Sequence, residues 1–143
     1  KFVVLFRELR RIGVMPFASF YLNDSPNDMS NWPRAADVVS AVQRFNQAFP
    51  SSKVEGIDGD QEPTQISEDY LRMNQAMMAR REMLNSDLKL TVSIKPGWLR
   101  NNFINGGESK LAAEWVLEGV DAGMIMAYSS DPSTSSSWGD QAL

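Results

Sequence analysis

The segment Val54-Glu55-Gly56-Ile57-Asp58-Gly59-Asp60-Gln61-Glu62-Pro63 begins as an apolar strand and ends with acids at every second position. Side chains alternate across a strand, so Asp58, Asp60 and Glu62 share one face, successive carboxylates lying roughly 7 Å apart. In a parallel barrel that face normally holds branched apolar side chains, and three acids there are costly unless they carry chemistry. Carboxylates this close cannot all ionise freely, so at least one should hold its proton more tightly than a free acid. Glu62 stands at the carboxyl end of the strand, where barrel active sites gather, and is best placed to act as a general acid. The same oxygens also allow two plainer readings: a solvated acidic loop with surface or helix-capping charges, and a magnesium or calcium site.

Outward from this strand, helical and extended periodicities alternate. Leu5, Leu9 and Ile12 set a helix over Phe2 to Ile12, stopped by Gly13. Val14 to Leu22 reads as a buried strand, and Asn23 to Pro33 as a polar loop. Ala35, Val38, Val39, Val42, Phe45 and Phe49 line one face of a second helix. After the acidic strand, Ser67 caps a helix whose apolar face carries Tyr70, Met73, Met77 and Leu84. Leu88 to Ile94 is a third strand, closed by Pro96-Gly97. A polar loop then leads to a helix over Glu108 to Gly119, with Trp115 on its inner face, and to a fourth strand, Gly123 to Tyr128.

Four apolar strands with helical crossovers predict an α/β fold with a parallel sheet covered by helices. No glycine-rich phosphate loop follows any strand, which disfavours a nucleotide-binding sheet and leaves a (β/α) barrel. A full eight-stranded barrel takes roughly 250 residues. The 143 residues are therefore expected to be a single-domain segment, the central part of an incomplete barrel. Its open edges would be closed by the rest of a longer chain or by self-association.

Composition narrows the chemistry further. The net charge is −4 with no basic stripe, so nucleic acid is not an expected partner, and no apolar run is long enough to span a membrane. Histidine and cysteine are absent, which excludes imidazole and thiol catalysis within these residues. Proton transfer must come from carboxylates, tyrosines or lysines, and no cofactor is implied.

The row Ile57-Asp58-Gly59-Asp60-Gln61-Glu62 resembles the D-G-x-D-x-D-x-E motif on the fourth strand of family-18 chitinases and endoglycosidases. Glu55 stands where that family has its first Asp. Met124-Ile125-Met126-Ala127-Tyr128 similarly resembles the Met-x-Tyr-Asp motif of the sixth strand, with Ser129 in place of the Asp, and one strand separates the two motifs as in the family. The third-strand Ser-x-Gly-Gly motif has no counterpart; Ala18-Ser19-Phe20-Tyr21 occupies that region.

The resemblance implies a TIM-like barrel hydrolysing N-acetylhexosamine-containing glycans, with a carbohydrate substrate as partner and a secreted or extracytoplasmic setting favoured. Glu62 would protonate the leaving oxygen and Asp60 would orient the 2-acetamido group, whose carbonyl attacks the anomeric carbon. Asp58 would share a proton with Asp60, and Tyr128 would hold the acetamido carbonyl. Trp98, Trp32 and Trp138, each in a loop after a strand, would bind sugar faces, and Lys95 would contact substrate or balance the acids. Two alternatives stay open. Gln61-Glu62-Pro63 also resembles the Asn-Glu-Pro motif of certain retaining glycosidases, whose nucleophile would lie beyond this chain, and a non-catalytic glycan-binding barrel is the other.

Overall fold

The computed structural model describes residues 1–22 and 27–126. In chain order the elements are α1 (Phe2–Arg11), β1 (Phe17–Phe20), α2 (Ala35–Ala48), β2 (Gly56–Gly59), α3 (Glu68–Met83), β3 (Lys89–Ile94), β4 (Asn102–Asn105), β5 (Glu108–Leu111), α4 (Ala112–Leu117) and β6 (Ala122–Ile125). β1, β2, β3 and β6 form one parallel sheet in that order, and β4 and β5 form a separate antiparallel hairpin. Sequential parallel strands with helical crossovers make an α/β fold, as expected of part of a (β/α) barrel.

The helix-covered face of the sheet is the core. Ile57, Leu90, Val92 and Ile94 from the strands are buried in one cluster with Val39 of α2, Tyr70, Met73 and Met77 of α3, and Val116 of α4. The start of β2 is fixed by Asn46 of α2. Its Nδ2 donates to the Val54 carbonyl and its Oδ1 accepts from the Val54 N–H, both at 2.8 Å, so one amide stands in for a neighbouring strand. α3 starts where the sequence places it: Ser67 Oγ accepts from the Tyr70 N–H at 3.2 Å, with Glu68 and Asp69 in the first turn suiting the helix dipole. Among the described residues, no helix is long and apolar enough to cross a membrane.

The opposite face carries the acids. Strand register lines up Ser19, Asp58, Thr91 and Ala122 across the sheet, one step above Phe17, Gly56 and Lys89. A Cβ at Gly56 would run into the Phe17 ring and come within 2.6 Å of the Lys89 carbonyl oxygen. Gly56→Ala is therefore expected to cost about 1–3 kcal/mol by overpacking, read as a lower urea midpoint. An unchanged midpoint would mean that β1 and β3 do not close on Gly56 this tightly.

The segment after β3 differs from the expected loop and long helix. Asn102 to Leu111 fold into the β4–β5 hairpin, and the helix is confined to Ala112–Leu117. The turn is Gly106-Gly107, with φ of +58° and +86°. Two consecutive left-handed positions suit a tight hairpin, and glycine adopts them without a Cβ penalty. Trp115, expected in the core, is half-buried and joins α4 to the hairpin. Its Nε1 donates to the Phe103 carbonyl at 2.9 Å, and Lys110 Nζ lies 4.2 Å from its ring centroid.

Candidate active site

β2 presents Asp58, then Asp60 just past the strand end, then Glu62. β3 alternates in the same period: Leu90, Val92 and Ile94 enter the core, while Thr91, Ser93 and Lys95 occupy the intervening positions. The two polar sets meet side by side. Thr91 Oγ1 donates to Asp58 Oδ1 at 2.9 Å, and Ser93 Oγ donates to Asp60 Oδ1 at 3.0 Å. The Asp60 backbone N–H donates to the Phe20 carbonyl at 3.3 Å, tying this residue to β1 as well.

Burial separates the roles of the acids. Asp58 is only 5% exposed. Loss of hydration pushes its carboxyl above the usual range and neighbouring Asp60 adds to the rise, while the Thr91 hydrogen bond opposes it. The proton-retaining effect expected of stacked carboxylates thus falls on Asp58. Because the folded state holds this proton more tightly than the unfolded chain, Asp58 costs no stability below its unfolded value of 3.8, and its cost grows as pH rises through the folded value. Asp58→Asn keeps an acceptor for Thr91 and removes the charge. We expect it to unfold later than the parent at neutral pH, by about 1 kcal/mol, with the gain fading as pH falls towards the unfolded value. Equal pH dependence of the two unfolding curves would contradict this.

Glu62 is half-buried and opens onto a cleft of about 430 Å³, together with Thr64, Lys95, Pro96, Gly97, Trp98, Arg100, Asn101 and Met126. This volume lies within the range of small-ligand clefts, roughly 300–1,000 Å³. A second cavity of about 180 Å³ shares Thr64, Trp98 and Asn101 and adds Gln65, Ile66, Asn102, Phe103 and Ala112, so the polar lining continues toward the base of the hairpin.

The structure therefore brings Glu62, Lys95 and Trp98 to one cleft and stacks Asp60 and Asp58 along the same strand. Trp98 is 3% exposed, and its ring meets Tyr70 edge-on at 5.5 Å between centroids. It forms the cleft wall with most of its indole covered. Trp32 sits in the short turn Trp32–Arg34, half-buried against the core, and does not line this cleft. Tyr128 and Trp138 lie outside the described residues. Glu55, at the position of the family's first Asp, is ion-paired with Arg10 of α1, away from the acid row. Among the described residues, no group of three or more carboxylates is gathered as a metal ligand set.

Thr91, Ser93, Arg100 and Asn101 join the residues expected from the sequence. The first two had a signal, the period-2 alternation of Leu90-Thr91-Val92-Ser93-Ile94-Lys95. Arg100 and Asn101 had none, because their position depends on the short turn Pro96–Leu99.

No family model and no curated protein matches the chain. Among solved structures it is similar to a mutant class V chitinase from Nicotiana tobaccum in complex with NAG4, with 16% identity and a TM-score of 0.51. The match covers 86% of this chain and 38% of the chitinase, so the chain spans well under half the length of that protein. At this identity the likeness concerns the fold: four parallel strands with alternating helices, arranged as in part of a chitinase-like barrel.

Proposed function

We propose that the chain is a glycoside hydrolase of N-acetylhexosamine-containing glycans, with Glu62 as proton donor. One observation carries the reading: the acid row of β2 meets a matching polar row on β3, and Glu62 ends that row at the cleft. The chitinase-like fold supports it, and so does the NAG4 bound to the structural neighbour. In the reaction, the acetamido carbonyl oxygen of the substrate attacks the anomeric carbon as the bond to the leaving oxygen breaks. Glu62 gives its proton to that oxygen. Its carboxylate then takes a proton from the water that opens the cyclic intermediate. Asp60, held by Ser93, orients the acetamido group, and Asp58 retains a proton that neighbouring acids can share. Tyr128 is assigned to the acetamido carbonyl on the motif alone.

The Asn-Glu-Pro reading has no task for Asp58 and Asp60, whereas substrate assistance uses both. The test is hydrolysis of an aryl chitobioside in the presence of the corresponding thiazoline, which mimics the cyclic intermediate. Competitive inhibition, together with a kcat loss in Asp60→Asn at little change in KM, is the expected result. An active protein indifferent to the thiazoline would favour the Asn-Glu-Pro mechanism. A folded protein that binds the glycan without turnover would favour the binding barrel.

A further inference from the structure

The charge around the cleft runs against the charge of the chain. The protein carries −4 overall, yet among the described residues the cleft lining holds one carboxylate, Glu62, and two cations, Lys95 and Arg100. Several cations elsewhere are ion-paired: Arg10 with Glu55, Lys53 with Asp87, Arg72 with Glu68 and Asp69, Arg81 with Asp121, and Lys110 with Glu108 and Glu118. Lys95 and Arg100 have no ion-pair partner among the described residues. The nearby Asp58 and Asp60 form no ion pair with them, and one oxygen of each accepts from Thr91 or Ser93.

A neutral sugar offers hydroxyls and amides, which Thr64 and Asn101 in the same lining suit. It makes no use of two positive charges that have no ion-pair partner among the described residues. A planar guanidinium and an ammonium on one rim are the donors that recognise an oxyanion, the guanidinium with two parallel hydrogen bonds.

We propose that the glycan taken by this cleft carries an anionic group, a carboxylate or a sulfate ester, on a sugar beside the one cleaved, and that Lys95 and Arg100 bind it. The inference rests on the glycosidase reading and narrows its substrate class.

The test compares, by calorimetry at low salt, the affinity of the full chain for three tetrasaccharides. These are neutral N-acetylglucosamine tetramer, the alternating N-acetylglucosamine–N-acetylmuramic acid tetramer, and a 6-O-sulfated N-acetylglucosamine tetramer. At least one acidic ligand is expected to bind about tenfold more tightly than the neutral one, equivalent to about 1.4 kcal/mol, and the better of the two identifies the anion. That ratio should fall towards one in Lys95→Gln/Arg100→Gln, persist in Lys95→Arg/Arg100→Lys, and shrink with added salt. Circular dichroism establishes that each variant is folded. Equal affinity for neutral and acidic tetramers, or a ratio unaltered in the glutamine variant, overturns the proposal while leaving the glycan reading in place. No binding of any tetramer by the folded chain overturns both.

Discussion

Glu62→Gln is expected to lower kcat/KM on an N-acetylhexosamine oligosaccharide by about 10²–10⁴-fold, the usual contribution of a positioned general acid. The substitution keeps the shape of the side chain at the cleft and removes its ability to give up a proton. The loss should depend on the leaving group. An unactivated sugar alkoxide cannot depart without protonation, whereas an activated phenol can, so aryl glycosides should lose markedly less than oligosaccharides. KM should change little, because the interaction removed develops in the transition state. A uniform loss across leaving groups would assign Glu62 to binding or structure. An unaffected rate would move the acid elsewhere along the row, with Asp60 the next group on the same face.

Tyr70→Ala is expected to cost about 3–5 kcal/mol of stability, the range for truncating a fully buried aromatic side chain. Tyr70 is completely buried on the first turn of α3 and supports the Trp98 ring edge-on. Against a typical total of about 5–15 kcal/mol, this loss endangers the fold itself. Tyr70→Phe should behave in the opposite sense. The Tyr70 hydroxyl is buried with no hydrogen-bond partner among the described residues. Burial, with Asp58 and then Asp60 nearby, pushes its pKa far above the usual tyrosine value, so it stays protonated throughout the working range. Removing an unpaired buried hydroxyl should be neutral or raise stability by about 1 kcal/mol. Chemical unfolding of both variants checks this pair of results. A Phe variant clearly less stable than the parent would show that the hydroxyl has a partner after all, an ordered water being the simplest.

The alternation of the acids was legible in the sequence because a strand repeats every two residues, and the spacing of Asp58, Asp60 and Glu62 follows from that period. Burial was not legible in the same way. The depth of Asp58 beside Thr91, which raises its carboxyl above the usual range, does not follow from its place in the row. Spacing along one strand gives no measure of how far its neighbours cover each step. The β3 partners were hidden in a similar way. Leu88 to Ile94 reads as a buried run, yet its polar members Thr91 and Ser93 fall opposite the acids once the register is set.

The helix predicted over Glu108 to Gly119 failed at its start because Asn105-Gly106-Gly107 is a tight-turn sequence. Two left-handed glycines turn the chain back into a strand before a helix can begin. The place of Trp98 after β3 is legible in the sequence, but its burial against Tyr70 depends on how the turn Pro96–Leu99 packs on α3, a contact between distant parts of the chain. Of the cleft cations, Lys95 is legible at a strand end, whereas its place beside Arg100 in one lining appears only in three dimensions.

The most direct measurement is proton NMR of the anomeric signals while the full chain acts on N-acetylglucosamine tetramer. Attack by the substrate's own acetamido group followed by attack of water inverts the anomeric carbon twice. The first product should therefore appear as the β-anomer before mutarotation, and Glu62→Gln should produce none on the same timescale. An α-anomeric first product, or an intact tetramer after prolonged incubation with the folded chain, would contradict the assignment of the β2 acid row to substrate-assisted glycoside hydrolysis.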